Sequence, residues 1–119
     1  MRFLTRKLVK PEDLNANNTL FGGRLLEWVD EEAAIYAAIE ARHKRIVTKK
    51  ISAIDFVAPA RQGDVIEIGV ALKKVGKTSI TLEVQVRDLT NQQVIVNIDE
   101  MVFVCVDDKG RPVRHSLAK

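Results

Sequence analysis

The stretch DLNANNTLFGGRLLEWVDEEAA, Asp13 to Ala34, sets three asparagines, a Gly-Gly pair and three consecutive acids around an apolar pattern of helical spacing. These residue types can do hydrolytic chemistry. Asp30 falls about two turns inside the expected helix, beside Leu26, Val29, Ala33 and Ala34, and a carboxylate held there is a candidate general base. Gly22 and Gly23 leave backbone N–H groups open at the positive end of the helix dipole, where a carbonyl oxygen gaining negative charge is stabilised. Asn15, in the preceding loop, offers an amide able to hold a water or the same carbonyl. A base, an oxyanion site and a positioning group suffice for attack by activated water. The plain structural alternative is a tight turn, an irregular Asn-rich loop and a solvated acidic stripe. Glu31 and Glu32 point about 100° and 200° around from Asp30, so at most one or two of the three acids share an environment.

Those residues need a frame. From about residue 22 to 42, Leu25, Leu26, Val29, Ala33, Ile35, Tyr36, Ala37 and Ile39 recur at spacings of three and four, which predicts one long helix. It is apolar over most of its circumference, and its small Ala33, Ala34, Ala37 and Ala38 suit close approach by a sheet on several sides. Residues 2–9 read as a strand ahead of it. Four more strands follow at about 47–57, 65–75, 80–86 and 94–106, separated by Ala58-Pro59, Gly76-Lys77 and the turn at 88–92. One strand, one helix and four strands predict a curved antiparallel sheet around a single helix, an α+β domain. Long open sheet edges predict pairing with a second copy in a continuous sheet.

Composition narrows the field. A chain of 119 residues, 46% hydrophobic, suits one compact domain, and no apolar run approaches the ~20 residues that span a membrane. The start, MRFLTRKLVKPED, lacks the apolar centre and small-residue cleavage site of a secretory signal, so a cytoplasmic location without membrane attachment is expected. Cys105 is the only cysteine, which rules out an internal disulfide and a cysteine-based metal site, and its apolar run marks it as a core residue. No metal is expected. The formal charge of +3 suits phosphate-bearing small molecules, nucleic acid or an anionic surface, with a merely solvated basic face as the plain alternative. Nucleic acid is not expected as a partner, because aromatic residues make up only 5% and no finger, RRM or basic-zipper pattern occurs.

From Asp13 to Asp30 the sequence resembles, position for position, the D-x-N-A-N-x-x-[IL]-F-G-G-x-[LM]-[LM]-x-x-[MVI]-D pattern of the hot-dog-fold acyl-CoA thioesterases, a group that includes short bacterial acyl-CoA hydrolases. FVAPARQGDVIEI, KKVGKTSITLEVQV and MVFVCVDDKGRPV extend the resemblance over nearly the whole chain. It implies a single hot-dog domain, 1–119, that hydrolyses acyl-CoA to a fatty acid and free CoA at a site shared by two protomers. By that resemblance Asp30 is the catalytic aspartate and Asn15 comes from the facing subunit, while Gly22 and Gly23 polarise the thioester carbonyl. CoA contacts fall on Lys49, Lys50 and Ile51, and on Thr78, Ser79 and Ile80 with Lys77 beside them. The resemblance implies coenzyme A only as part of substrate and product, with no separate cofactor, and a homodimer assembled further into a trimer of dimers. Two other readings use the same fold: a non-catalytic acyl-CoA sensor, which leaves Asn15 and Asp30 unexplained, and a hydroxyacyl dehydratase, which needs a histidine base that neither His43 nor His115 suitably supplies. Acyl-chain length, the choice between base and nucleophile for Asp30, and the role of Arg24 stay open at this level. Trp28 is read as packing.

Overall fold

The computed structural model describes residues 1–117. It contains β1 (Arg2–Leu8), a 3-10 turn (Pro11–Asp13), α1 (Gly22–Ala41), β2 (Ile46–Phe56), β3 (Val65–Val75), β4 (Ser79–Asp88) and β5 (Gln93–Cys105). All five strands are antiparallel in one sheet of order β1-β3-β4-β5-β2, packed on the one helix, which is the hot-dog arrangement. β1 and β2 are its edges. The expected elements all form, with ends displaced by no more than a residue or two.

Alternation explains the sheet. Ile66, Ile68 and Val70 of β3, Ile80, Leu82, Val84 and Val86 of β4, and Val96, Ile98, Met101, Phe103 and Cys105 of β5 are buried in one cluster with the helix. In β5 the inward residues Ile98 and Met101 are three apart, which strict alternation would place on opposite faces. The register against β4 shifts between Leu82↔Met101 and Val84↔Ile98, so a bulge returns both to the core. Cys105 is fully buried among these side chains, and burial pushes its thiol above the ordinary pKa.

The helix buries Leu25, Val29, Ala33, Ala37 and Ala41, a strict four-residue spacing. Three alanines in that stripe let the backbone lie close to the sheet. Leu26, Trp28, Ala34 and Tyr36 flank the stripe and pack half-buried against the same core, so the sheet grips the helix over a broad face. Ile35 and Ile39, on the far side, are 46% and 70% exposed. The helix ends where Arg42 turns left-handed (φ 52°, ψ 45°) and its N–H reaches back to the carbonyls of the last turn. Among the described residues no helix is long and apolar enough to cross a membrane.

Candidate active site

The Asn15 loop is a small closed unit. Leu14 and Leu20 bridge its ends, Asn15 N donates to Thr19 O (2.8 Å), and Asn18 N donates to Asn15 O (3.0 Å). Inside it, Asn15 Oδ1 accepts from Asn17 N (2.9 Å) and Thr19 N (3.2 Å), while Asn15 Nδ2 donates to Thr19 Oγ1 (3.1 Å). Two backbone donors fix which way round the amide sits, because only its oxygen can accept from them. The nitrogen has a second hydrogen left for a ligand.

This loop faces the start of α1 across a cavity of about 400 Å³, lined by Asn15, Gly22, Leu25, Phe56, Val57 and Ile95 among others. Phe21 caps the helix with its backbone and no side-chain bond, so the first-turn N–H groups stay available. The glycines also make room. A Cβ on Gly22 would stand 3.3 Å from the Phe56 ring, and one on Gly23 would stand 2.8 Å from the Phe21 ring. Asn15 and Gly22 thus line one mostly apolar recess.

Asp30 lies elsewhere. It is half-buried on the flank of α1 that faces β2, and Thr48 Oγ1 donates to its Oδ1 at 2.7 Å. Eight residues of helix separate it from Gly22, about 12 Å along the axis, so one carbonyl group cannot touch both. Within a single protomer the two halves of the expected site stay apart. Thr48 was missed by the sequence reading, since a threonine in a β-branched run looks like a strand former.

The two candidate CoA stretches flank one strand at one level. Thr48 and Ile80 both pair with Phe103 of β5, so residues 48–51 and 78–81 lie on either side of it. Lys49 sits where the β2 register shifts between Thr48 and Lys50; Lys49, Lys50 and Lys77 are exposed, and Ile51 is half-buried against the core. Ile80 is fully buried, so only its backbone is available to a ligand. The carbonyls before it are already used: Cys105 N donates to Thr78 O, and His115 N and Nε2 donate to Lys77 O and Ser79 O. His115 accepts at Nδ1 from Leu117 N, so its ring is held between two backbone groups and serves as a structural strap. The hydroxyls of Thr78 and Ser79 and the Lys77 ammonium remain. Trp28 packs against the core with Lys7 Nζ 5.9 Å from its ring centre, in keeping with a packing role.

The family model of the thioesterase superfamily matches residues 17–95. An uncharacterized acyl-CoA thioester hydrolase of Haemophilus influenzae is 34% identical over 114 residues, covering 91% of this chain and 73% of its own. A hexameric thioesterase from Yersinia pestis superposes with a TM-score of 0.88 at 31% identity, covering 96% of this chain and 94% of that one. An acyl-CoA hydrolase of Staphylococcus aureus, solved in complex with butyryl coenzyme A, coenzyme A and coenzyme A disulfide, superposes with a TM-score of 0.83 at 31% identity. That match covers 93% of this chain and 66% of the Staphylococcus chain. The same hydrolase has been solved with an aspartate and, separately, an asparagine replaced by alanine, and the two lie as far apart along that chain as Asp30 and Asn15 do here.

Proposed function

The chain belongs to the thioesterase superfamily, and from that membership we propose that it hydrolyses acyl-CoA to a fatty acid and CoA at a site completed by a second copy of itself. One observation carries the reading: Asn15 and Gly22 stand at one end of β2, Asp30 and Thr48 at the other, and β2 is an open edge. Antiparallel pairing of two β2 edges about a two-fold axis near their middle sets Thr48 and Asp30 of one protomer beside the partner's Phe56, and so beside the partner's Gly22 and the partner's Asn15. Exposed Val47, Phe56 and Val57 give that edge an apolar surface to bury.

In this site the thioester carbonyl points at the N–H groups of Gly22 and Gly23 and at the spare hydrogen of Asn15 Nδ2. Thr48 holds Asp30 Oδ1, which leaves Oδ2 to take a proton from the attacking water. The oxygen–carbon bond forms, the carbonyl electrons move onto an oxyanion held by the N–H groups, and their return expels the CoA sulfur, which leaves as thiol after taking up a proton. Direct attack by Asp30 through an anhydride uses the same contacts. The recess lined by Leu25, Phe56 and Ile95 takes the acyl chain. Lys49, Lys50 and Lys77, with the hydroxyls of Thr78 and Ser79 and the backbone at Ile51 and Ile80, meet the phosphates and pantetheine of CoA. Homodimers assembling as a trimer of dimers accord with the hexameric relative.

The test is a panel of acyl-CoA esters followed by the loss of thioester absorbance. Turnover by the wild type and a fall of about 10²-fold or more in kcat for Asp30→Ala are expected. Binding of acyl-CoA without turnover would identify a sensor instead.

A further inference from the structure

We propose that Arg24 and Asp13 form a clamp that fixes the Asn15 loop onto the first turn of α1, so that Arg24 is a positioning residue for the hydrolysis and not a phosphate ligand. The inference rests on the acyl-CoA hydrolase reading above and goes beyond it in assigning a role to a pair of residues that touch no reacting atom.

Asp13 stands at the point where the loop must be held. Its side chain is 4% exposed. Oδ2 accepts from Lys10 N (2.9 Å), its carbonyl accepts from Phe21 N (2.9 Å), and Oδ1 lies 3.5 Å from Arg24 Nε. Asp13 immediately precedes the Leu14↔Leu20 bridge that closes the loop, and Phe21 immediately precedes Gly22. The Phe21 bond therefore joins the loop to the approach of the helix, and the Arg24 ion pair ties it to the helix itself. Without that cation the buried carboxylate would be left with the Lys10 N–H as its one described partner, and the least costly response is for the loop to open and hydrate it. Opening would displace Asn15 relative to the Gly22 N–H, and these two must meet one carbonyl.

Charge argues against the alternative. Arg24 Nη1 also lies 3.6 Å from Glu27 Oε1, so one guanidinium already faces two carboxylates and the cluster of three carries a net negative charge. A phosphate brought to Arg24 would meet both acids. The exposed lysines of β2 and of the β3–β4 turn have no such competition in the described contacts and are the better anion partners.

The variants are Arg24→Met, which keeps the bulk of the stem, Arg24→Lys, which keeps the charge, and Asp13→Asn. Each is assayed with an acyl-CoA and with the same acyl group on N-acetylcysteamine, a thioester without phosphates, alongside hydrogen–deuterium exchange over residues 13–21. The clamp predicts that Arg24→Met lowers kcat about tenfold on both substrates, with KM for acyl-CoA changed less than about twofold. Exchange at Asn17 and Thr19 should quicken, Arg24→Lys should recover part of both effects, and Asp13→Asn added to Arg24→Met should cost nothing more. A rise in KM confined to acyl-CoA would show a phosphate ligand and overturn the clamp, as would unchanged loop exchange in Arg24→Met. A wild type inactive on both thioesters would defeat the hydrolase reading, while exchange would still decide whether the clamp exists.

Discussion

Thr48 donates to Asp30 at 2.7 Å, which fixes one carboxylate oxygen and the side-chain rotamer with it. Thr48→Val keeps the shape and the strand preference and removes the bond, so kcat should fall roughly tenfold with the fold intact, as steady-state rates and a thermal melt will show. A second carboxylate makes a claim about stability. Asp88 is fully buried, accepts from Thr90 N at 2.8 Å with Oδ1, and among the described residues has no hydrogen-bond partner on Oδ2. Burial, followed by the neighbouring Asp64 carboxyl, raises its pKa above the ordinary 3.8, against the Thr90 N–H that lowers it. The folded state thus holds this proton to higher pH than the unfolded chain does, and Asp88 costs stability as pH rises from about 3.8 through its folded value. Asp88→Asn keeps the Thr90 bond and offers Asp64 a donor. Its Tm should exceed the wild type at pH 7 and converge with it near pH 3.5, in paired melts. Asp30 and Asn15 were legible as chemistry because acids and amides crowd a glycine pair. Thr48 was not, since its partner lies 18 positions away and its neighbours describe only a strand.

At the scale of elements, β1 is held to the sheet by a stack that no periodicity reports. The Phe3 ring lies over Gly69, where a Cβ would come within 2.5 Å of it, and the Arg87 guanidinium covers the ring at 3.6 Å while donating to Glu67 at 2.8 Å. Gly69→Ala must displace that ring, and a loss of about 1–3 kcal/mol in urea unfolding is expected, with the proposed site untouched. Alternation announced the strands, and short turns announced β3, β4 and β5 as neighbours. The placement of β1 beside β3 and of β2 beside β5 depends on contacts far apart in the chain, and the bulges that keep Ile98 and Met101 in the core break the very pattern used to find strands.

For the whole molecule, the bare β2 edge leads to an experiment on trans complementation. Asp30→Ala and Asn15→Ala should each be nearly inactive alone. Mixed and allowed to exchange subunits, they should regain about a quarter of wild-type activity, since half the dimers are mixed and one of their two sites is intact. No recovery, with exchange confirmed by mass spectrometry, would place both residues in one protomer. The sequence predicted an open edge but not which one, because β2 is distinguished only by where the sheet ends. The sealed position of the lone thiol has a practical consequence. A chromogenic disulfide reagent added to the native protein should find nothing of the enzyme's own to titrate, so every equivalent of colour counts one molecule of product, and the preparation should keep through oxidising storage without covalent cross-linking.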